Sequence, residues 1–257
     1  MGESAKTFRV SATIDHRATR WALAWVAAIG ICGLSADAGA TRVRGNLTGY
    51  QNLLNPVWEE AKDPEKHGFS FREAVPTVRA EFRRLFPHIP KELCVAALAA
   101  EKQPVQKPIL IRIGGGRTTP VTLVVTPGTE LQFQNTDPFA HRLYVPGLGT
   151  FTPSDTVKGG VRSWSVPGPG TFEIRDEAAP SLRMWVIGEP KVASVAYPSM
   201  KGEFALSVDT PGDYTVQAFF AGKKVGPETA LKVAGADVDL TKTPIKVADE
   251  AKGEKGN

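Results

Sequence analysis

Two side chains stand where they could do chemistry together: His141, in Asn135-Thr-Asp137-Pro-Phe-Ala-His141-Arg-Leu-Tyr144, and Asp176, at the end of Phe172-Glu-Ile-Arg-Asp176. An imidazole and a carboxylate supply nitrogen and oxygen donors of the kind zinc accepts. Glu177 would add a third, but neighbours along a strand face opposite ways, so it points away from whatever Asp176 enters. The other histidines beyond residue 40 are His67 in Lys66-His67-Gly68 and His88 in Pro87-His88-Ile89-Pro90, both of which read as loop residues. A multi-histidine centre is therefore not expected. Cys94 is the only cysteine beyond residue 40, and its setting, Leu93-Cys94-Val95-Ala96, is that of a buried small hydrophobe. Enzyme motifs are missing: there is no Gly-x-Ser-x-Gly elbow, no Gly-x-x-x-x-Gly-Lys loop and no His-Glu-x-x-His pair. Gly114-Gly-Gly116 lies between strand-patterned segments with no helix after it, which predicts a hairpin turn rather than a phosphate cradle.

The elements that must position His141 and Asp176 are strands. Ile109, Ile111 and Ile113 share one face; Val121, Leu123 and Val125 point one way while Thr122 and Thr126 point the other. Leu131 and Phe133 alternate with Glu130, Gln132 and Gln134, as in a strand with one wet face. Further strands are expected around 141–145, 161–166, 171–176 and 183–187. Short antiparallel strands at this spacing predict a β-sandwich. Strand parity turns Asp176 inward with Phe172 and Ile174, and His141 inward with Leu143 and Val145. Buried polar groups need partners, so the two are expected to satisfy each other, with Asn135 or a water completing the bonding.

The stretch Phe172-Glu-Ile-Arg-Asp176-Glu-Ala-Ala179-Pro-Ser-Leu182 resembles the last loop of a plastocyanin-like cupredoxin, whose motif reads aromatic-x-hydrophobic-x-Cys-x-x-His-Pro-x-Met. The resemblance covers residues 105–190. It implies a Greek-key sandwich in which Asp176 stands at the copper thiolate, Ala179 at the second histidine and Leu182 at the methionine, with His141 the one ligand retained. A blue-copper centre uses a thiolate, two imidazoles and a weak axial thioether, so no cofactor is expected. His141 and Asp176 remain the residual candidates for copper or zinc. A second resemblance covers residues 191–236. Lys201-Gly-Glu-Phe204-Ala-Leu206 followed by Thr210-Pro-Gly212-Asp-Tyr214-Thr-Val216 is similar to the carboxypeptidase regulatory-like (transthyretin-like) domain. Phe204 and Leu206 are expected to pack against Tyr214, Val216 and Ala218, with Pro211-Gly212 turning the chain between them and Gly222-Lys-Lys224 forming the next hairpin. A last strand is expected at 229–233. This unit is short, and is expected to be truncated and to lean on the first.

The ends bound the rest. Lys6, Arg9, Arg17 and Arg20 precede an apolar run from Trp21 to Leu34 and a small-residue site, Ala38-Gly39-Ala40, the pattern of a cleaved export signal over residues 1–40. The run is short for a membrane span, so no stable span is expected once it is removed. Removal leaves 27 basic and 24 acidic residues, too small an excess to point to nucleic acid or an anionic membrane. One cysteine also precludes an intramolecular disulfide. Residues 41–104 are expected to extend the first sandwich, with a strand at 41–45, a short helix from 77 to 86 and a strand at 92–98. Residues 237–257 read as a polar tail, unstructured at its end. Trp164 and Trp185 are expected in the core or at the joint between units, and an exposed patch of Tyr144 with Arg142 would suit protein or glycan contact. Asn46-Leu-Thr48 matches a glycosylation sequon.

The expectation is thus an all-β chain: a Greek-key cupredoxin-like β-sandwich with a smaller transthyretin-like β-unit. It is exported to the periplasm or extracellular space, is not an enzyme, and serves as a binding or structural module with an envelope protein or glycan as partner. The alternatives are a metal-binding or electron-transfer cupredoxin with altered ligands around His141, and an accessory subunit of an envelope enzyme or transport assembly.

Overall fold

The computed structural model describes residues 40–56 and 87–248. Residues 1–39 of the export signal expected over 1–40, His67, the helix expected over 77–86 and residues 249–257 lie outside them. Strands are numbered along the chain.

Two β-sandwiches share the described residues. In the first, one sheet runs β4 (Arg117–Thr119), β3 (Ile109–Gly114), β6 (Glu130–Asn135), β8 (Val161–Ser165). The facing sheet runs β5 (Thr122–Val125), β10 (Arg183–Gly188), β9 (Gly170–Asp176), β7 (Leu143–Tyr144). Ile111, Ile113, Leu131, Phe133, Ile174, Met184 and Val186 meet between them. The antiparallel expectation is corrected at two pairs: β3 lies parallel to β6 and β5 parallel to β10. From β4 to β9 successive strands alternate between the two sheets, so the parallel partners β3–β6 and β5–β10 are joined by crossovers, while β3–β4 and β9–β10 are antiparallel neighbours in sequence.

The second sandwich pairs β12 (Glu203–Val208), β1 (Thr41–Thr48), β15 (Val238–Asp239) and β16 (Ile245–Lys246) against β11 (Val192–Ala196), β2 (Leu93–Ala99), β13 (Gly212–Phe220) and β14 (Lys223–Val233). This corrects the placement of residues 41–104. β1 pairs with β12 from Thr41↔Val208 to Asn46↔Glu203, and β2 lies between β11 and β13. β1 and β2 therefore belong to the second sandwich and do not extend the first, and the unit expected to be truncated gains both strands. The physical reason is burial on alternate positions: Val43 and Leu47 need a facing core, which Phe204, Leu206, Tyr214 and Val216 provide. The first sandwich is an insertion between β2 and β11, whose neck is drawn together by hydrogen bonds from the N–H of Ala99 to Lys191 O (2.8 Å) and of Gln103 to Pro190 O (2.7 Å).

Three local expectations also change. The segment 237–248 is not a free tail, since β15 and β16 pair in parallel with β1 and bury Ile245 and Val247. Pro211-Gly212 carries the chain from one sheet to the other and closes no hairpin, with Tyr214 Oη donating to Thr210 O at 2.8 Å across that corner. The β13–β14 turn falls one residue earlier than expected, on Ala221 (φ 48°) and Gly222 (φ 76°), because the tight hairpin turn needs two consecutive left-handed residues.

β2 is buried on both faces, so it reads as an unbroken apolar run instead of an alternation. Leu93, Val95 and Ala97 enter the second core, while Cys94, Ala96 and Leu98 meet Val124 and Ile187 from the outer face of the β5–β10 sheet. The small side chains at 94 and 96 let the two sandwiches approach, and Tyr197 Oη donates to Thr122 O at 3.0 Å across the joint.

Candidate functional site

The end of β9 and the segment after β6 bring His141 and Asp176 together. β9 directs Ile174 and Asp176 inward, both buried. His141 precedes the two-residue strand β7 and is held by a bridge to Thr156, with N–H to carbonyl bonds of 3.1 and 2.8 Å in the two directions. Its side chain is fully buried. Nδ1 of His141 meets Oδ2 of Asp176 in a short contact. The other carboxylate oxygen, Oδ1, accepts the N–H of Arg142 at 3.0 Å and of Ala178 at 2.8 Å.

A third member was not read from the sequence. Asp137 Oδ2 stands 3.0 Å from Nε2 of His141, so the imidazole lies between two carboxylates. Asp137 is itself cradled by the glycine turn. Gly115 N–H donates to Oδ1 at 2.6 Å and Gly116 N–H to Oδ2 at 2.8 Å. Both glycines have positive φ, 63° and 67°, which aims consecutive amides at one point. The Gly114-Gly-Gly116 hairpin thus holds an anion after all, and the anion is a side chain of this protein. The Gly116 amide above all, then the Gly115 amide and His141, hold the Asp137 carboxyl below its ordinary range, against the opposing effect of burial. The signals that could have found Asp137 are its spacing of four from His141 and the paired glycines.

Asn135 bonds to neither His141 nor Asp176. Its amide donates to the carbonyls of Phe139 and Thr156, each at 2.7 Å, and its Oδ1 accepts the Asp137 N–H at 2.8 Å. It shapes the loop that carries the pair. Phe139 covers the imidazole, with ring centroids 4.6 Å apart. Two hydrogen bonds among three groups require two protons shared between the ring and the carboxyl groups.

The arrangement does not fit a copper centre. The ring nitrogens of an imidazole point in diverging directions, so carboxylates held at both do not converge on one ion. Among the described residues no group of three or more His, Cys, Asp and Glu side chains is placed to hold a metal. Ala179 is packed against the first core and Leu182 is buried within it. Glu177 points outward to Arg142 Nε at 3.0 Å. Cys94 lies in the joint between the sandwiches, where burial pushes its thiol up to about 12 against weaker hydrogen bonds from Val124 and Tyr197.

Trp164 and Trp185 form no outer face. Trp164 is buried beside Phe151 and Phe172, with centroids 5.4 and 5.6 Å away, and Trp185 is buried against the Gly222 turn. Arg142 is engaged by Asp155 and Glu177. Asn46 of the sequon lies within β1, paired with Glu203.

No family model matches the chain, and no curated protein matches it. Parts of the chain are similar to solved structures. Amicyanin from Paracoccus versutus (Thiobacillus versutus) is 16% identical over 36% of this chain and 91% of its own, with a TM-score of 0.30. A purple cupredoxin from Nitrosopumilus maritimus is 16% identical over 32% of this chain and 99% of its own, at 0.29. A copper-containing nitrite reductase from Thermus scotoductus is 17% identical over 37% of this chain and 25% of its own, at 0.30. Likenesses this distant decide nothing about activity, which is argued below from the chain's own side chains.

Proposed function

We propose that the chain is an exported, non-catalytic β-sandwich protein that works as a binding or structural module of the cell envelope. In it, the place of a cupredoxin copper centre is taken by a carboxylate–imidazole–carboxylate pin. The observation that carries this reading is the state of His141: fully buried, with both ring nitrogens taken, by Asp176 and by Asp137. An imidazole so placed has no lone pair to offer a metal and no face to offer a substrate. The pin joins three loops at one end of the first sandwich, namely the β3–β4 turn through Gly115 and Gly116, the segment 135–142, and the end of β9. The second sandwich, in which residues 191–236 resemble a carboxypeptidase regulatory-like unit, is read as a non-catalytic companion, and the partner as an envelope protein or glycan.

Export is supported by the basic, apolar and small-residue succession of residues 1–40. Among the described residues no helix is long and apolar enough to cross a membrane. The test is elemental analysis after incubation with copper and zinc salts and desalting. Folded protein without retained metal is expected. Near-stoichiometric metal that disappears in His141→Ala would overturn the reading.

A further inference from the structure

The hairpin that joins β13 to β14 rests against the outer face of β9 and β10. Thr171 Oγ1 donates to Gly222 O at 3.1 Å, and a Cβ placed on Gly222 would stand 2.8 Å from Trp185 Cδ1. At this contact lies a cavity of about 360 Å³. Its floor is the outward side of the two strands, where Glu173, Arg175 and Arg183 alternate with the core residues Ile174 and Met184. Lys223 and Lys224 of the hairpin form one wall, and Leu54 and Pro56 another. Arg175 and Arg183 are direct partners across β9 and β10, and like charges so placed repel. Glu173 offsets this by serving both. Arg175 Nε and Nη2 donate to its two oxygens at 3.1 Å each, and Arg183 Nε lies 2.8 Å from its Oε1.

Among the described residues that line the cavity, four are basic and one is acidic. Lys224 also meets Glu228 at 2.8 Å, while Lys223 stands exposed beside the turn. A concave surface of that sign concentrates anions, and guanidinium groups favour the flat fork of a carboxylate. Glu173 narrows the choice. It opposes a phosphate or a run of acidic side chains, whose charged groups only accept, whereas a hydroxyl can donate to it. A hexuronate ring brings both, one carboxylate and several hydroxyls. The cavity lies near the lower end of small-molecule sites in size, which suits a single ring, and between two packed units, where such sites are common. We propose that this cavity is a subsite for a hexuronate residue of an acidic glycan, with the carboxylate set among Arg175, Arg183 and Lys223 and the hydroxyls donating to Glu173. The proposal rests on the reading of the chain as a non-catalytic binding module and names the chemistry of its glycan.

The test is calorimetric titration of the purified full chain with a galacturonate trimer, with neutral galactotriose and with triglutamate. The galacturonate trimer is expected to bind with a Kd below about 1 mM, and galactotriose not to bind. Lys223→Glu, which reverses an exposed charge, and Arg175→Gln should each weaken the trimer at least about tenfold, with circular dichroism showing that both variants keep the fold. No binding by folded wild type, or binding that both variants leave unchanged, would overturn the subsite and leave the non-catalytic reading standing. Triglutamate bound as tightly as the trimer would overturn the hexuronate in favour of an acidic protein segment. The trimer should also be recovered intact by mass spectrometry after long incubation; shortened products that depend on the protein would overturn the non-catalytic reading and leave the subsite standing.

Discussion

Replacing His141 by alanine removes the one cation-capable group between two buried carboxylates, and the consequence can be worked from the contacts. Two charge-assisted hydrogen bonds are lost, to Asp176 and to Asp137, and a ring-sized void opens beneath Phe139. Stripping one partner from a buried charged pair costs about 3–5 kcal/mol. Here the stranded carboxylates are not wholly abandoned. Asp176 keeps the amides of Arg142 and Ala178, and Asp137 keeps those of Gly115 and Gly116. Those four donors place the expected loss near the lower end, at about 3 kcal/mol. For a chain of this size that lowers the melting temperature by about 6–12 °C. Urea unfolding followed by tryptophan fluorescence, with calorimetry beside it, measures both. His141→Gln, which retains one donor, should fall between the wild type and the alanine variant. A loss below about 1 kcal/mol, the range of solvent-exposed pairs, would refute the buried pin.

Other outcomes are expected from the same geometry. Because the Asp137 carboxyl is held below its ordinary range, its stabilising contribution is full above the unfolded value of about 4 and is lost as pH falls through the folded value. Unfolding free energies measured from pH 7 down to pH 2 should therefore show a shallower acid limb in Asp137→Asn than in the wild type, and an unchanged limb would show that Asp137 does not carry it. Gly45→Ala should destabilise by about 1–3 kcal/mol, since the added methyl would lie 2.3 Å from Phe204 Cζ; a neutral result would contradict the pairing of β1 with β12. Cys94 should resist a thiol reagent at pH 8 in native protein and react in urea, because it is fully buried with its thiol pushed up to about 12; rapid native labelling would mean that the joint between the sandwiches opens. The triple change Asp176→Cys, Ala179→His and Leu182→Met should create a coloured copper site, read by visible absorbance and metal content, and a folded but colourless product would refute the loop alignment.

Strand-by-strand alternation made the first sandwich legible. Ile111 and Ile113, Leu131 and Phe133, and Ile174 all turned inward on the faces their parity predicts. Connectivity was not legible, for a physical reason. Alternation says which face of a strand is buried and nothing about which strand lies beside it, so it offers β1 no partner beyond its neighbours in sequence. Its actual partner, β12, is separated from it by the whole inserted sandwich. The paired C-terminal segments were missed on similar grounds. β15 and β16 are two residues each, and only Ile245 and Val247 mark a buried face within a polar stretch.

At the site, parity could place His141 and Asp176 on one face, but it could not find Asp137, which lies in a loop where no period applies. Asp137 changes the meaning of the pair. A histidine bonded at one nitrogen only would keep the other available for a ligand, and a carboxylate on that other nitrogen is what commonly orients a metal-binding imidazole. In this chain the carboxylate at 137 is present, held by the Gly115 and Gly116 amides, while the opposite nitrogen meets Asp176. The carboxylate at 176 therefore does more than fill a buried position. It closes the imidazole at both ends, turning a group that could bind an ion into one that ties three loops together.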